Sequence, residues 1–514
     1  MRRFKSLLCG LLLVSCAGVH QPEHRPLKLI VVHSNDIHGR SWPFSLGDER
    51  KVGGYAAQAS LVKSIRDEAE RENAAFLLFS GGDVNTGVPE SDFSQAKPDF
   101  QAMKAIGYDA MVVGNHDFDH GAELLLKQLS WVNFPFLGAN VRLKKTGNYL
   151  SQASAIFNRR GIKIGVVGIT TDEMSKLILP DYSKALLIED GIKAATRETT
   201  LLKKEGAQIL VALSHLGLSG TGSSQYTVIS NDDRKLAREV PELDLIVGGH
   251  SHTDLPEGVR EGKTLIVQSG YRGVRIGRVD LLWDPEKSEV ISSKAQLIPV
   301  DPSQGEDAEI KKLVDPYREK FEKEMGVVLF ETKQSLIGQR TESPSVELSL
   351  GNFVCDALRK ETKSDLAFFN SGGIRSSIPK GQVKKRNILE SFPFRNKVSV
   401  GVLSGAEVIS LLTDGSQEAM IGGGVLQVSG LKYQIENGKV TNVVTSSGPI
   451  ELKRDYSFAT NSFVSAGGDK LKTMLKARSL KNLQLNVDDV LIQYGRKLKV
   501  VDVQNEGRIN LIKE

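Results

Sequence analysis

Polar motifs rich in histidine and carboxylate follow several apolar runs in the first half of the chain. The segment "VVGNHDFDHG" is the densest of them, and "NDIHG", "SGGD", "LSHLG" and "GGHSH" follow other apolar runs. Together the motifs supply these candidate metal donors: Asp36, His38, Asp83, Asn115, His215, His250 and His252. Oxygen donors mixed with imidazoles suit divalent ions such as Zn, Mn or Co. The set exceeds what one ion accepts, so we expect two ions, an arrangement that serves phosphoester hydrolysis.

The apolar runs indicate the elements that must bring these motifs together. From Leu27 to about Val300, runs such as "LKLIVVH" and "AFLLFSGGD" alternate with helical patterns, for example residues 53–73. This alternation is typical of an α/β fold, and continuous apolar runs predict strands that are buried on both faces. In such sheets ligands bind beyond the carboxyl ends of the strands. Glycines beside each motif allow the backbone to approach the cluster closely.

The length of 514 residues predicts two domains. A polar, highly charged segment with helical spacing, residues 301–326, is typical of a bridging helix. We therefore expect a first domain over 27–300, a linker helix within 301–335 and a second domain over 336–514. All nine histidines lie at or before His252, so the chemistry is expected in the first domain.

The N-terminus has the pattern of an export signal. Three basic residues precede a short apolar run, which predicts a signal peptide over residues 1–15. "LVSC" resembles a bacterial lipobox and favours acylation of Cys16, which would anchor an exported protein in the membrane as a periplasmic or outer-membrane lipoprotein. The alternative is an ordinary signal peptide that is cut near "CAG".

Charge gives little indication of macromolecular partners. Removal of the leader takes away three basic residues and lowers the formal net charge from +5 to +2. So small a positive charge does not indicate a nucleic-acid-binding protein. The run from Lys470 to Lys481 spaces its charges like a solvated helix face. Cys355, the only cysteine beyond Cys16, is expected to be a buried apolar residue. No obligate protein partner is evident.

The order of the motifs (D-x-H, G-D, G-N-H-D, H, G-H-x-H) resembles the calcineurin-like metallophosphoesterase superfamily. With the second domain, "HSNDIHGR", "GNHDFDHG" and "GGHSHTDLP" are similar to the bacterial 5'-nucleotidase/UDP-sugar hydrolase family over about residues 27–510. The resemblance implies an α/β fold with a four-layered αββα metallophosphoesterase domain. A smaller α+β nucleotide-binding domain would follow, joined to the first by a helical linker.

The resemblance also implies roles in the first domain. One ion would be held by Asp36, His38 and His252, and the other by Asn115, His215 and His250, with Asp83 bridging the two. His116 would be the catalytic histidine and Asp119 would orient it. His252 stands where several nucleotidases have an amide residue, so it follows the wider superfamily. Asp117 and His120 are interpreted as solvated loop residues, and His33 as a strand residue near the site.

In the second domain the resemblance implies a nucleotide pocket. The matching positions are Arg340 and Arg375 for phosphate, Phe394 and Phe463 for the base, and Asn370, Asn396, Gly423 and Asp469 beside them. Without the resemblance, core packing would be the favoured interpretation of both phenylalanines. The family's "GGDGY" reads "GGDKL" here, which leaves the base preference open.

The implied reaction is phosphate release from nucleoside 5'-monophosphates, with UDP-sugars or other nucleotide diphosphates as further candidate substrates. Two alternatives on the same scaffold are a 2',3'-cyclic-nucleotide phosphodiesterase and a sulfur-ester hydrolase. A third is a non-catalytic, nucleotide-binding surface lipoprotein.

Overall fold

The computed structural model describes residues 26–46, 50–220, 231–338, 346–420 and 425–512, without the side chains of 417–420. The leader with Cys16, and the candidate pocket residues Arg340 and Gly423, lie outside the described residues. Among the described residues, no helix is both long enough and apolar enough to cross a membrane.

Two sheets of six described strands each form the centre of the first domain. The first has the order β16-β15-β1-β4-β5-β6. Its strands are β1 (Leu27–Ser34), β4 (Ala75–Ser80), β5 (Ala110–Val112), β6 (Phe136–Leu137), β15 (Arg275–Asp284) and β16 (Glu289–Pro299). Strands β1, β4, β5 and β6 are parallel to one another, and β15 and β16 run antiparallel at one side.

The second sheet has the order β13-β14-β12-β11-β9-β8. Its strands are β8 (Ser154–Arg159), β9 (Ile162–Thr170), β11 (Ile209–His215), β12 (Leu245–Val247), β13 (Val259–Glu261) and β14 (Thr264–Val267). Strands β9, β11, β12 and β14 are parallel, with antiparallel β8 and β13 at the edges. The short strands β2 (Phe44–Ser45), β3 (Lys51–Val52), β7 (Val141–Leu143) and β10 (Leu186–Ile188) form two small ribbons.

Alternate residues of each strand face different layers. Leu29 and Val31 of β1 pack with Val211 and Leu213 of β11 in a core between the two sheets. The intervening residues of the first sheet, such as Val32, pack against helices on the outer face. Because both faces are covered, the strands are buried throughout, as their continuous apolar runs predict. The resulting order is helix, sheet, sheet, helix.

The helices of the first domain follow the predicted alternation. They are α1 (Tyr55–Arg71), α2 (Pro89–Ser94), α3 (Lys97–Ile106), α4 (Gly121–Leu129), α5 (Met174–Leu177), α6 (Pro180–Ser183), α7 (Gly191–Lys204) and α8 (Asp233–Glu239). Helix α1 lies within the segment 53–73 whose pattern predicts it.

A charged helix, α9 (Ala308–Met325), follows the first domain. Asp307 caps its N-terminus by accepting hydrogen bonds from the backbone N–H groups of Glu309 and Ile310. Ile310 and Val314 on its apolar face join the helix-covered core of the first domain. Phe321 packs against Trp42 and Phe93, so the helix is fixed on the first domain along its length.

The second domain mixes three sheets with helices, as an α+β domain does. The strands are β17 (Val328–Thr332), β18 (Leu366–Asn370), β19 (Gly381–Lys384), β20 (Lys397–Ser404), β21 (Leu426–Ser429), β22 (Leu431–Glu436), β23 (Lys439–Thr445), β24 (Gly448–Pro449), β25 (Asp455–Asn461), β26 (Arg478–Asn486), β27 (Val500–Val501) and β28 (Ile509–Ile512). The helices are α10 (Ser349–Thr362), α11 (Lys385–Ser391), α12 (Gly405–Met420), α13 (Ser462–Ser465) and α14 (Val487–Leu498). Cys355 is buried in α10, as expected.

The prediction of a solvated helix face over Lys470–Lys481 is wrong. Only the short 3-10 helix Lys472–Lys476 forms there, and strand β26 begins at Arg478. β26 pairs antiparallel with β20, so backbone hydrogen bonds to a neighbouring strand outweigh the local charge spacing.

Candidate active site

The candidate donor residues meet where the parallel strands of the two sheets end. Asp36 and His38 follow β1, Asp83 follows β4, and Asn115 follows β5, while His215 ends β11 and His250 and His252 follow β12. Two groups of three, Asp36–His38–His252 and Asp83–His215–His250, each place their ligand atoms within 4.8 Å of one another. The sheets thus bring together, at one edge, side chains that are more than 200 positions apart in the chain.

The two groups lie against each other. His215 Nε2 is 3.1 Å from Asp83 Oδ2 and 3.9 Å from Asp36 Oδ1. His38 Nε2 is 3.9 Å from Asp36 Oδ1 and 3.9 Å from Asp83 Oδ2. It is 3.1 Å from His252 Nε2. Both carboxylates therefore reach imidazoles of both groups, which is the arrangement that a bridging ligand requires.

The backbone at these positions is unusual. Five of the seven donors have φ between 52° and 72°, a left-handed conformation that is costly for residues with a side chain. They are Asp36, His38, Asp83, His250 and His252. Strain of this kind concentrates at functional sites, where the surrounding structure holds it in place.

Neighbouring glycines make the close approach possible. A Cβ at Gly114 would lie 2.1 Å from Asp83 Oδ1, and one at Gly249 would lie 2.5 Å from the carbonyl oxygen of Gly81. A side chain at either position would separate the strand ends. These distances confirm that the glycines allow the backbone to approach the cluster closely, as expected.

Hydrogen bonds orient two of the imidazoles. His38 Nδ1 lies 3.0 Å from the carbonyl oxygen of Thr86, and His215 Nδ1 lies 2.6 Å from that of Gly81. Because a carbonyl oxygen only accepts, each Nδ1 carries a hydrogen and donates it there, which leaves each Nε2 directed at the cluster. Asn115 Oδ1 is buried and accepts no hydrogen bond among the described residues.

Burial and charge set the protonation of the cluster. Burial lowers the pKa of His38 to about 4 and that of His250 to about 3, so both are neutral. Burial opposes protonation of His215, but the carboxylate of Asp83 raises its pKa to about 9. The carboxylates thus require positive charge nearby, and a divalent ion would replace the proton on His215. Neutral imidazoles, buried carboxylates and an unpaired amide oxygen fit a pair of divalent ions.

His116 lies beside the cluster on a 3-10 turn, His116–Phe118. Its Nδ1 is 2.7 Å from Asp119 Oδ2, and its ring centroid is 5.1 Å from that of His38. Burial opposes its charge, but the carboxylates of Asp119 and Asp83 raise the pKa of His116 to about 10. The imidazolium can therefore supply a proton or positive charge at the edge of the cluster.

The interpretation of Asp117 and His120 as solvated loop residues is wrong. The Asp117 side chain is turned inward, the residue is 2% exposed, and its carboxylate accepts hydrogen bonds from the backbone N–H groups of Asp83, Val84 and Gly114. His120 is half-buried, and its Nε2 lies 2.8 Å from Asp92 Oδ1. His33, by contrast, is a buried strand residue of β1, as expected.

Sequence patterns gave no sign of Tyr271. Its ring stacks on His252 with centroids 4.8 Å apart and an interplanar angle of 3°. The two residues belong to different loops, so neither spacing nor composition connects them. The stack fixes the plane of His252, a candidate donor of the first group.

Comparison with known proteins agrees with this architecture. The calcineurin-like phosphoesterase family matches residues 29–254, and the 5'-nucleotidase C-terminal domain matches residues 328–477. A 5'-nucleotidase of Vibrio parahaemolyticus is 35% identical, over 97% of this chain and 95% of that protein. The chain belongs to the 5'-nucleotidase family. It is a metal-dependent phosphoesterase, and the resemblance carried by its motifs is confirmed.

Other members of the 5'-nucleotidase family show the same extent of similarity. Protein UshA of Escherichia coli is 31% identical, over 97% of this chain and 96% of that protein. The crystal structure of a 5'-nucleotidase precursor from Thermus thermophilus has a TM-score of 0.74 and 27% identity, covering 95% of this chain and 100% of that one. The similarity extends through both domains, so the predicted fold class is confirmed.

The 5'-nucleotidase C-terminal domain brings several candidate pocket residues together. Asn370 Nδ2 donates to Asp469 Oδ2 at 2.8 Å, and Asn370 Oδ1 accepts from Asn461 at 2.9 Å. The next residue in the chain, Ser462, donates to Asn396 Oδ1 at 3.0 Å. These bonds connect the ends of β18 and β25 to the loop before β20.

The aromatic candidates border the same region. Phe394 is 45% exposed, so core packing does not explain it, and the Arg375 guanidinium lies 6.0 Å from its ring centroid. Phe463 is half-buried and packs over Gly468, where a Cβ would come within 2.4 Å of the ring. In the "GGDKL" segment, Lys470 is exposed with φ 58°, and Leu471 is buried in the core.

Proposed function

We propose that this protein is an exported dimetal phosphohydrolase that releases phosphate from nucleoside 5'-monophosphates. UDP-sugars or other nucleotide diphosphates are proposed as additional substrates. One observation carries the proposal: two buried histidine–carboxylate groups share a site with a charged imidazole, His116, on the adjoining turn.

The ion-binding roles are distributed over the strand ends. One ion would be bound by Asp36, His38 and His252, and the other by Asn115, His215 and His250, with Asp83 between them. Bound there, two divalent ions would lower the pKa of a water molecule and neutralise charge on the phosphate. The short separations between Asp83, His38 and His215 support the bridging role of the aspartate.

The protein's own groups then act on the phosphoryl group. His116 places its positive charge and its proton where negative charge develops in the transition state. Asp119 accepts a hydrogen bond from His116 Nδ1, which leaves Nε2 directed toward the substrate. These roles predict that loss of His116 impairs the chemical step more than it impairs metal binding.

The second domain is proposed to hold the nucleotide. Phe394 and Phe463 would stack on the base, and Arg375 would contact phosphate oxygens with its planar guanidinium. Arg340 and Gly423 remain proposed members of the pocket, outside the described residues. The proposed division of the chain is 27–300, the linker 301–335 and 336–514, with α9 inside the linker.

A substrate comparison tests this function. Phosphate release should be measured from AMP, UDP-glucose and a 2',3'-cyclic nucleotide with Mn²⁺, Co²⁺ or Zn²⁺ restored after chelation, and a sulfur ester assayed in parallel. The proposal requires turnover of AMP. Turnover of the cyclic nucleotide or the sulfur ester in its place would support those alternatives, and tight AMP binding without any turnover would support a non-catalytic binding protein.

For its location, we propose export with an acyl anchor on Cys16. The basic residues, the short apolar run and "LVSC" support it. The anchor would place the enzyme at a periplasmic or outer-membrane surface of a bacterium, where it would meet extracytoplasmic nucleotides.

A further inference from the structure

Asp117 connects two of the strand ends that carry the proposed metal ligands. One carboxylate oxygen, Oδ1, accepts from the backbone N–H groups of Val84 and Asn85, both at 3.1 Å. The other, Oδ2, accepts from the N–H groups of Asp83 at 3.1 Å and Gly114 at 2.9 Å. Four backbone donors from two different turns therefore converge on one buried carboxylate.

Neither turn has a regular partner for these donors. Asp83 lies beyond the end of β4 in a left-handed conformation, and Gly114 lies beyond the end of β5. Strand pairing has ended on both sides, so without Asp117 the N–H groups would be buried without partners, at a cost to the fold. A carboxylate is the side chain best suited to them, since it accepts on both oxygens and donates nothing when ionised.

The two turns that Asp117 connects carry Asp83, the proposed bridging ligand, and Asn115. His116 N donates to Asp83 Oδ1 at 2.9 Å, so the turn that Asp117 fixes also sets the position of the Asp83 side chain. Asn115, the proposed ligand of the second ion, is bracketed by Gly114 and His116. A shift of either turn would therefore change the separation of Asp83 and Asn115.

We infer that Asp117 is a positioning residue for metal binding, which sets the spacing of Asp83 and Asn115 through the backbone without contacting an ion. This inference rests on the proposed function, because it presupposes the ligand roles of those two residues. Groups that orient metal ligands typically change metal affinity by about 10–100-fold when they are replaced.

The test is direct Mn²⁺ binding by the full-length protein. Asp117→Asn keeps the size of the side chain but turns an amide NH2 toward backbone donors. Free Mn²⁺ measured by electron paramagnetic resonance during a titration should show affinity weakened by about 10–100-fold. At saturating Mn²⁺, the KM for AMP should stay within about twofold of wild type, because the second domain is unchanged.

Asp109→Asn is the matched control. The Asp109 carboxylate also connects two strands, since it accepts from Leu78 N of β4 at 2.8 Å and from Arg159 of β8 at 2.6 Å, but it lies at the amino end of β5. This variant should lose stability with Mn²⁺ affinity unchanged. If Asp117→Asn fails to fold, Asp117→Glu replaces it, since its longer side chain displaces the carboxylate and should weaken Mn²⁺ binding likewise.

The possible outcomes distinguish failure of the positioning role of Asp117 from failure of the proposed metal centre. Wild-type Mn²⁺ affinity in a folded Asp117 variant, with a loss of stability equal to that of Asp109→Asn, would overturn the positioning role. Failure of the wild-type protein itself to bind Mn²⁺, Co²⁺ or Zn²⁺ would instead refute the proposed metal centre.

Discussion

His116 Nδ1 and Asp119 Oδ2 lie 2.7 Å apart, on a turn that also carries a second histidine–aspartate contact. His120 Nε2 lies 2.8 Å from Asp92 Oδ1, but this pair lies on the side of helix α2, at a cavity between the two domains. Of these two pairs, the first is next to the cluster of candidate metal ligands, with the His116 and His38 ring centroids 5.1 Å apart. The two pairs have similar geometry, and their positions predict different effects on catalysis.

Replacement of His116 by glutamine should lower kcat by about 10²–10⁴-fold, the range for a positioned proton donor. Bound metal per chain should remain at the wild-type level, because His116 is not a proposed ligand. His120→Gln on the same turn is the control and should change kcat far less. Steady-state kinetics and elemental analysis check both variants, and equal losses of kcat would remove the distinction between the two pairs.

Phe394→Ala and Phe463→Ala should weaken AMP turnover without affecting a substrate that lacks a base. Base stacking on an aromatic ring contributes about 1–3 kcal/mol, which corresponds to roughly 5- to 150-fold. Hydrolysis of a small aryl phosphate should change little, whereas His116→Ala should slow both substrates. Comparison of kcat/KM for AMP and the aryl phosphate checks this pattern. Parallel losses on both substrates in folded Phe variants would place the base elsewhere.

Asp99 in α3 should make stability depend on pH. The residue is fully buried, and burial raises its pKa from 3.8 to about 7. The unfolded chain loses this proton near pH 4, while the folded protein keeps it until about pH 7. The contribution of the protonated Asp99 to the free energy of unfolding is therefore complete below pH 4. It falls as pH rises toward 7, and above pH 7 no further loss occurs.

Asp99→Asn removes that ionisation and keeps the size of the side chain. Thermal unfolding should show the variant gaining stability relative to wild type between pH 4 and 7, with a constant advantage above pH 7. Glu70→Gln is the control and should show no such trend, because the Glu70 carboxylate is exposed and pairs with exposed Arg160. A difference between Asp99→Asn and wild type that stays constant from pH 4 to 8 would contradict a neutral Asp99.

Cys16→Ala should change how the protein is processed and where it is found. If Cys16 is acylated, the wild-type protein sediments with membranes and its mature N-terminal peptide carries the mass of acyl chains. The alanine variant should be soluble or unprocessed. A wild-type N-terminus without lipid by mass spectrometry would favour the ordinary signal peptide that is cut near "CAG".

The strand ends were predictable because one physical rule places them. Parallel strands of an open α/β sheet end at the same edge, so Asp36, Asp83 and Asn115, which follow β1, β4 and β5 of the first sheet, could be expected to meet although they are far apart in the chain. Glycines such as Gly114 were a second indication, since a side chain there would collide with Asp83.

Other features depend on contacts that a local pattern does not contain. Asp117 lies in a polar local sequence that is typical of a solvated loop, and its burial is explained by four converging backbone N–H groups, three of which are distant in the chain. Tyr271 reaches His252 through a stack between separate loops. The charges from Lys470 to Lys481 repeat at helical spacing, yet pairing with β20 converts the second half of that segment into a strand.

The central claim is that Asp83 and the other candidate ligands would hold two divalent ions on which the reaction depends. The most direct measurement titrates Mn²⁺ into chelator-treated protein and follows phosphate release from AMP together with bound Mn²⁺. Activity should be absent in metal-free protein and should appear as two ions per chain bind. Asp83→Asn should lose most of this activity, and Asp67→Asn, a change on the exposed side of α1, should retain it. Full activity in the metal-free protein, or in folded Asp83→Asn, would contradict the account.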